Sequence, residues 1–145
     1  MAGIYVHIPF CRKRCHYCDF YKTTTVARLP FFLEVLAREI ELQSDYLKGE
    51  RVNTVYFGGG TPSLLEADEV EGLLGMFRRF FEVDRDAEVT LEINPDDVLP
   101  SKLETWSAAG VNRLSIGIQS FCDRHLRLMN RRHTARQAFQ AVDYA

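Results

Sequence analysis

One repeated order constrains this fold more than any other feature: a short, β-rich apolar stretch followed by a helical pattern, four times over. The stretches are residues 3–8, 52–57, 88–93 and 113–118. Helical patterns cover residue 30 to about residue 47, then 68–81 and 101–109, with Gly110 as a stop. A short helix is expected over 123–128, and Thr134-Ala-Arg-Gln137 reads as a capping box that starts another. Strands separated by helices need right-handed crossovers and therefore a parallel sheet. The expected class is α/β, either an open doubly wound sheet or part of a barrel.

Within each stretch, polarity alternates. Ile4, Val6 and Ile8 oppose Tyr5 and His7; Val89, Leu91 and Ile93 oppose Thr90, Glu92 and Asn94. Leu114, Ile116 and Ile118 likewise oppose Ser115, Gly117 and Gln119. Parallel strands covered on both faces read instead as unbroken apolar runs. The apolar set must meet the helices, so the polar set faces solvent or lines the concave side of a curved sheet. The concave reading predicts a polar ligand cavity. The loops agree with it, because α/β folds place their sites beyond strand C-termini. The cysteine-rich run follows the first strand, Gly58-Gly59-Gly60-Thr61-Pro62 the second, Asn94-Pro95 the third and Gln119-Ser120 the fourth.

A chain of 145 residues is one ordinary domain with room for a real core. Its formal charge of −2 gives no general attraction to nucleic acid or anionic lipid. No signal peptide and no transmembrane segment are read, so a cytoplasmic location with reduced thiols is expected.

Against that background "HIPFCRKRCHYCDFYK" places three of the four cysteines within eight positions. Cys11, Cys15 and Cys18 can converge on one metal centre. A structural zinc site wants four ligands, and His7 or His16 could be the fourth. An iron–sulfur cube held by three cysteines keeps one iron open to a small molecule, the mark of a reactive cluster. Cys122, beyond the fourth strand, is expected to be a lone free cysteine. His7 reads as a packed, hydrogen-bonded residue. Arg12, Lys13 and Arg14 read as a solvated rim, or as a docking patch for an acidic reductant. Phe31, Phe32, Phe77, Phe80 and Phe81 fall on helical patterns and read as core.

The cysteine spacing, with a glycine-rich loop after the second strand, resembles the radical S-adenosylmethionine (SAM) superfamily. The wording "IYVHIPFCRKRCHYCDFY", "VYFGGGTPSLL", "TLEINPD" and "GVNRLSIGIQSF…LMNRRH" resembles one branch, the anaerobic coproporphyrinogen oxidase relatives and the HemW haem chaperones among them. The resemblance spans essentially the whole chain. It implies the N-terminal part of a radical SAM core over residues 1–145, about four βα units of a partial barrel, with the C-terminal domain absent. It implies that Cys11, Cys15 and Cys18 hold a [4Fe–4S] cluster whose open iron chelates SAM. Gly59, Gly60 and Thr61 would contact the SAM ammonium, the glycines letting backbone approach the ligand. Many members carry Glu where Gly60 stands here, which moves that carboxylate's task to Glu92. Glu92 would meet an ammonium or ribose hydroxyls, a structural salt bridge being the alternative. Gln119 would be a polar contact, Arg131 a partner for the SAM carboxylate, and Tyr5 and Tyr17 further contacts. Taken alone, Arg131-Arg132 is a solvated charge pair and Tyr5 a core aromatic.

The oxidases of this branch have an extra cysteine two residues after the third; here that position is Phe20. Since the chaperone relatives have phenylalanine there, the resemblance implies a haem-binding and haem-transfer protein. Its partners would be haem or porphyrin, a haem-accepting protein and a flavodoxin- or ferredoxin-like reductant. Oxygen-independent coproporphyrinogen III oxidase is the alternative, and a zinc-binding interaction module the second. The family's haem-binding histidine motif belongs to the C-terminal region.

Overall fold

A computed structural model describes residues 2–145 of the chain. Four strands, β1 (Ala2–Ile8), β2 (Val52–Gly59), β3 (Val83–Ile93) and β4 (Arg113–Ile116), pair in parallel in the order β1-β2-β3-β4. Between and after them run α1 (Leu29–Leu42), α2 (Ala67–Phe80), α3 (Pro100–Ala108), α4 (Asp123–Leu128) and α5 (Ala135–Tyr144). A doubly wound sheet reverses its strand order at a switch point. This order never reverses, so the sheet is a segment of a barrel.

Side chains from the apolar faces of the strands form a single core with the helices. Ile8, Val55, Phe57 and Leu91 are fully buried and pack with Val70, Leu74 and Phe77 of α2. Trp106 of α3 closes this layer and donates its indole N–H to the Leu65 carbonyl at 3.2 Å. Tyr5, Tyr56, Glu92 and Ser115 come together on the opposite face, where β1–β2 and β3–β4 register aligns Tyr5 with Tyr56 and Glu92 with Ser115.

The helix signals act as read. Thr134 accepts from the Gln137 amide while the Gln137 side chain accepts from the Thr134 amide, so the box at the start of α5 is real. Gly110, with φ of 110°, follows α3 in the left-handed conformation a stop requires. Four boundaries differ by two residues or more, the end of β2 among them, which runs on to Gly59. α1 ends at Leu42 because turns occupy the next residues, with Lys48 and Gly49 at positive φ. β3 starts at Val83, where Val83 pairs with Val52 across a register shift that hides the earlier residues from a strict alternation. β4 stops at Ile116, since the Ile118 and Ser120 amides turn back to the carbonyls two residues before them.

One core assignment is wrong. Phe31 is 66% exposed because it lies on the outer side of α1, whereas its neighbour Phe32 packs edge-on to Phe10 at 5.4 Å. Phe77 is buried, and Phe80 and Phe81 pack partly buried against the core.

Candidate functional site

The chain leaves β1 through Pro9 and Phe10 and returns at Thr23. Phe10 and Thr23 form a bridge; Thr23 N–H donates to Pro9 O at 2.7 Å and Cys11 N–H to Thr23 O at 2.9 Å. The twelve residues from 11 to 22 thus form a loop tied at its base. Its outer side is held by the end of α4: Asn130 Nδ2 donates to Arg14 O at 2.8 Å and His16 N–H to Met129 O at 3.1 Å. Lys22 folds back inside, its ammonium donating to Cys18 O at 2.6 Å.

Cys11, Cys15 and Cys18 face one cavity of about 310 Å³. Tyr17, Gly59, Gly60, Thr61, Glu92, Gln119 and Arg131 line it with them, as does Phe20. Side chains from four separate loops and strand ends therefore meet. Tyr5 does not reach this lining. It is 58% exposed, stacks on Tyr56 with ring centres 5.9 Å apart, and points its hydroxyl at His7 Nδ1, so it is not a core aromatic either. Gln119 lies beyond the end of β4 and not on it, held at φ of 67°.

The glycine loop is tight for internal reasons. A Cβ on Gly60 would sit 2.7 Å from Phe10 O and 3.0 Å from Cys11 Sγ. One on Gly59, already at φ of 108°, would strike the His7 ring at 2.7 Å. The space expected to admit a ligand at these glycines is occupied by the protein's own cysteine loop and His7.

Glu92 is neither unpaired nor in a salt bridge. Its Oε1 accepts from the Tyr56 hydroxyl at 2.7 Å and its Oε2 from the Gly59 amide at 3.2 Å. Both donors are neutral, so no cation is bonded to the carboxylate and its remaining lone pairs stay open beside the cavity. Burial raises the Tyr56 pKa, and the hydrogen bond to Glu92 adds to that.

Arg131 and Arg132 are not a solvated pair. Arg131 Nη1 donates to Cys15 Sγ and to the Tyr17 hydroxyl, both at 3.4 Å, and Nη2 to Asn94 Oδ1 at 2.7 Å. Its Nε is buried without a partner. Arg132 is ion-paired with Asp96 and Asp97, and Asp97 also accepts from Ser63 at 2.8 Å. Burial opposes the Arg132 charge, but the two aspartates outweigh it and hold the guanidinium protonated.

Burial pushes the Cys11 thiol up, and Cys15 and Cys18 push the same way; the Thr61 hydroxyl and the Lys22 ammonium pull back. The buried Cys11 thiol therefore resists deprotonation, and bound cationic iron would relieve that resistance. Among the described residues no His, Cys, Asp or Glu group closes on a single metal ion. A cube spreads its thiolates over separate irons and does not require such closure. His7 has both ring nitrogens engaged, with the Tyr5 hydroxyl and Tyr21 O at 3.0 Å, so it is no fourth ligand. His16 Nδ1 binds Leu128 O at 3.0 Å. The exposed Cys122 stands outside the cavity lining. A thiol triad, an orphaned guanidinium N–H and a neutral-capped carboxylate fit an iron–sulfur group with a zwitterionic ligand.

Asn94, Tyr56, Lys22 and Asp96 had no assigned role before the structure placed them beside the site. For the first, the polar alternation shared with Glu92 and the placing of Asn94-Pro95 after a strand were the hints.

This chain belongs to the radical SAM superfamily, whose model matches residues 5–145. Such membership implies a [4Fe–4S] cluster and SAM. Within the superfamily it is 43% identical to the haem chaperone HemW of Mycobacterium tuberculosis (strain ATCC 25618 / H37Rv) over 99% of this chain and 38% of the relative. HemW of Escherichia coli (strain K12) is 36% identical over the same shares. The mitochondrial radical SAM domain-containing protein 1 of Bos taurus is 43% identical over 97% of this chain and 32% of its own. Among solved structures, the coproporphyrinogen III oxidase HemN of Escherichia coli superposes with a TM-score of 0.88 at 33% identity, covering 99% of this chain and 33% of that one. The chain thus spans well under half the length of the relatives it matches.

Proposed function

We propose that this chain is the N-terminal part of the radical SAM core of a HemW-like haem chaperone, which binds a [4Fe–4S] cluster, SAM and haem and passes haem to an acceptor protein. Cys11, Cys15 and Cys18 hold three irons. Such a cluster, when bound and reduced, supplies one electron to the sulfonium of SAM. Gly59, Gly60 and Thr61 shape the wall against the methionyl part, and Glu92 offers its free lone pairs to an ammonium or hydroxyls. Tyr17, Gln119 and Arg131 complete the polar lining, while the tied loop excludes water from the thiolates. Tyr5 acts indirectly, by stacking on the tyrosine that holds Glu92. Arg12 and Lys13 are exposed on the cavity rim and Arg14 is exposed on the loop's outer side, and an acidic flavodoxin- or ferredoxin-like reductant would dock there. Among the described residues no helix is long and apolar enough to cross a membrane, and the proposed setting is the cytoplasm.

The observation that carries this reading over the oxidase is Phe20 on the cavity lining. Phenylalanine cannot ligate iron or exchange electrons as a thiol would. The likeness to HemN keeps coproporphyrinogen III oxidation as the second reading. The protein from its full reading frame, reconstituted and reduced with SAM, is expected to bind haem and leave coproporphyrinogen III intact by mass spectrometry. Doubly decarboxylated product at multiple turnovers would establish the oxidase instead.

A further inference from the structure

Arg131 stands where it can act on the cysteine loop itself. Its Nη2 donates to Asn94 Oδ1 at 2.7 Å and to Gly117 O at 2.5 Å, and its Nη1 donates to Cys15 Sγ at 3.4 Å. A guanidinium has donors only, so Asn94 must turn its carbonyl oxygen toward it. The Asn94 amide nitrogen then lies 3.5 Å from Thr61 Oγ1, on the glycine loop. Asn94 follows β3 directly and so ties the glycine loop to Arg131. None of the acceptors on Arg131 is a carboxylate, so they leave its charge facing the cysteine loop.

We propose that Asn94 is a positioning residue that holds the Arg131 guanidinium against Cys15, and that Arg131 thereby sets the cluster's reduction potential. This rests on the cluster-binding function proposed above. Hydrogen bonds to a ligand sulfur and nearby positive charge both favour the reduced, more negative cluster and raise its potential. The same clamp leaves Arg131 Nε as the donor without a protein partner, free for a bound ligand.

The test uses the protein from its full reading frame, reconstituted anaerobically as wild type, Asn94→Leu, Arg131→Leu and the double variant. Iron and sulfide content is measured first, then the midpoint potential by a redox titration followed by electron paramagnetic resonance. Both single variants are expected to load and to move to more negative potentials. The double variant is expected to move no further than Arg131→Leu alone, because Asn94 works through Arg131. Asn94→Leu is also expected to weaken SAM binding about tenfold, whereas Asn94→Asp, which still accepts from Arg131, stays within about threefold of wild type. A wild type that takes up no cluster overturns this inference together with the function beneath it. A loaded wild type with an unchanged Asn94→Leu potential, or with additive shifts in the double variant, overturns the inference alone. If Asn94→Leu does not load, Asn94→Asp decides, and a tenfold loss of SAM affinity there overturns it. Failure of both to load also overturns it, since Asn94 would then serve assembly and not position.

Discussion

Glu92 carries a charge that its own protein partners do not neutralise. The Tyr56 hydroxyl and the Gly59 amide fix its direction and leave half its accepting capacity toward the cavity. Glu92→Ala is therefore expected to spare cluster assembly but weaken SAM binding by about 1.5–3 kcal/mol, roughly ten- to a hundredfold. Calorimetry on the reconstituted protein measures it, and an unchanged affinity would assign Glu92 to loop structure alone. Replacing Cys11, Cys15 or Cys18 by Ala is expected to abolish the SAM-sensitive paramagnetic signal, while Cys122→Ala leaves it intact; zinc bound stoichiometrically in place of a cluster would contradict this. At this scale the thiols and Glu92 were legible, because loop position and strand alternation expose them. Their partners were not. Asn94 meets Arg131 across 37 positions and Tyr56 meets Glu92 across 36, and no local periodicity encodes such pairs.

Elements were legible wherever a signal was local. The capping box of α5 is one case, and Thr134→Ala is expected to cost about 1 kcal/mol in urea unfolding. Element ends set by long-range register, such as the start of β3, were not. The turn after β4 rests on His133, which is buried and donates from Nε2 to Ile118 O at 2.9 Å. Its Nδ1 is buried without a partner, so a second proton there has no acceptor. Burial, reinforced by Arg131, lowers the His133 pKa from the ordinary 6.5. The unfolded chain then binds the extra proton more readily than the folded one. The stability His133 contributes is present above pH 6.5 and lost as pH falls below it. Urea melts across that window are expected to slope for wild type and flatten for His133→Gln; parallel profiles would exclude His133 as the cause.

Over the whole molecule, the sheet ends on β4 with its outer edge unpaired among the described residues. Phe121 and Phe139 pack with tilted rings 4.6 Å apart, yet both stay about half exposed, and Leu128 and Val142 are also open to solvent. Unpaired strand edges and grouped apolar side chains drive association. The 145-residue chain expressed by itself is expected to form assemblies in light scattering, and a monodisperse monomer with cooperative melting would refute this. A parallel α/β sheet with one polar face was legible from the alternation of strands and helices, and the partial barrel from the family resemblance, whereas the identity of this patch was not, because α5 presents it only once packed.

The bridge between Phe10 and Thr23 ties the base of the cysteine loop through backbone contacts alone, with no thiol taking part. Closing about a dozen residues carries an entropic cost on the order of 2 kcal/mol, which the backbone bridge offsets without any help from a metal. Once one thiolate captures iron, the other two stand at high effective concentration, so loading resembles a chelate closing and not three separate encounters. The Cys11 and Thr23 amides are then expected to exchange slowly with deuterium even in iron-free protein, while the loop tip around Arg14 exchanges fast. Equal, rapid exchange at all three would mean that the metal folds the loop.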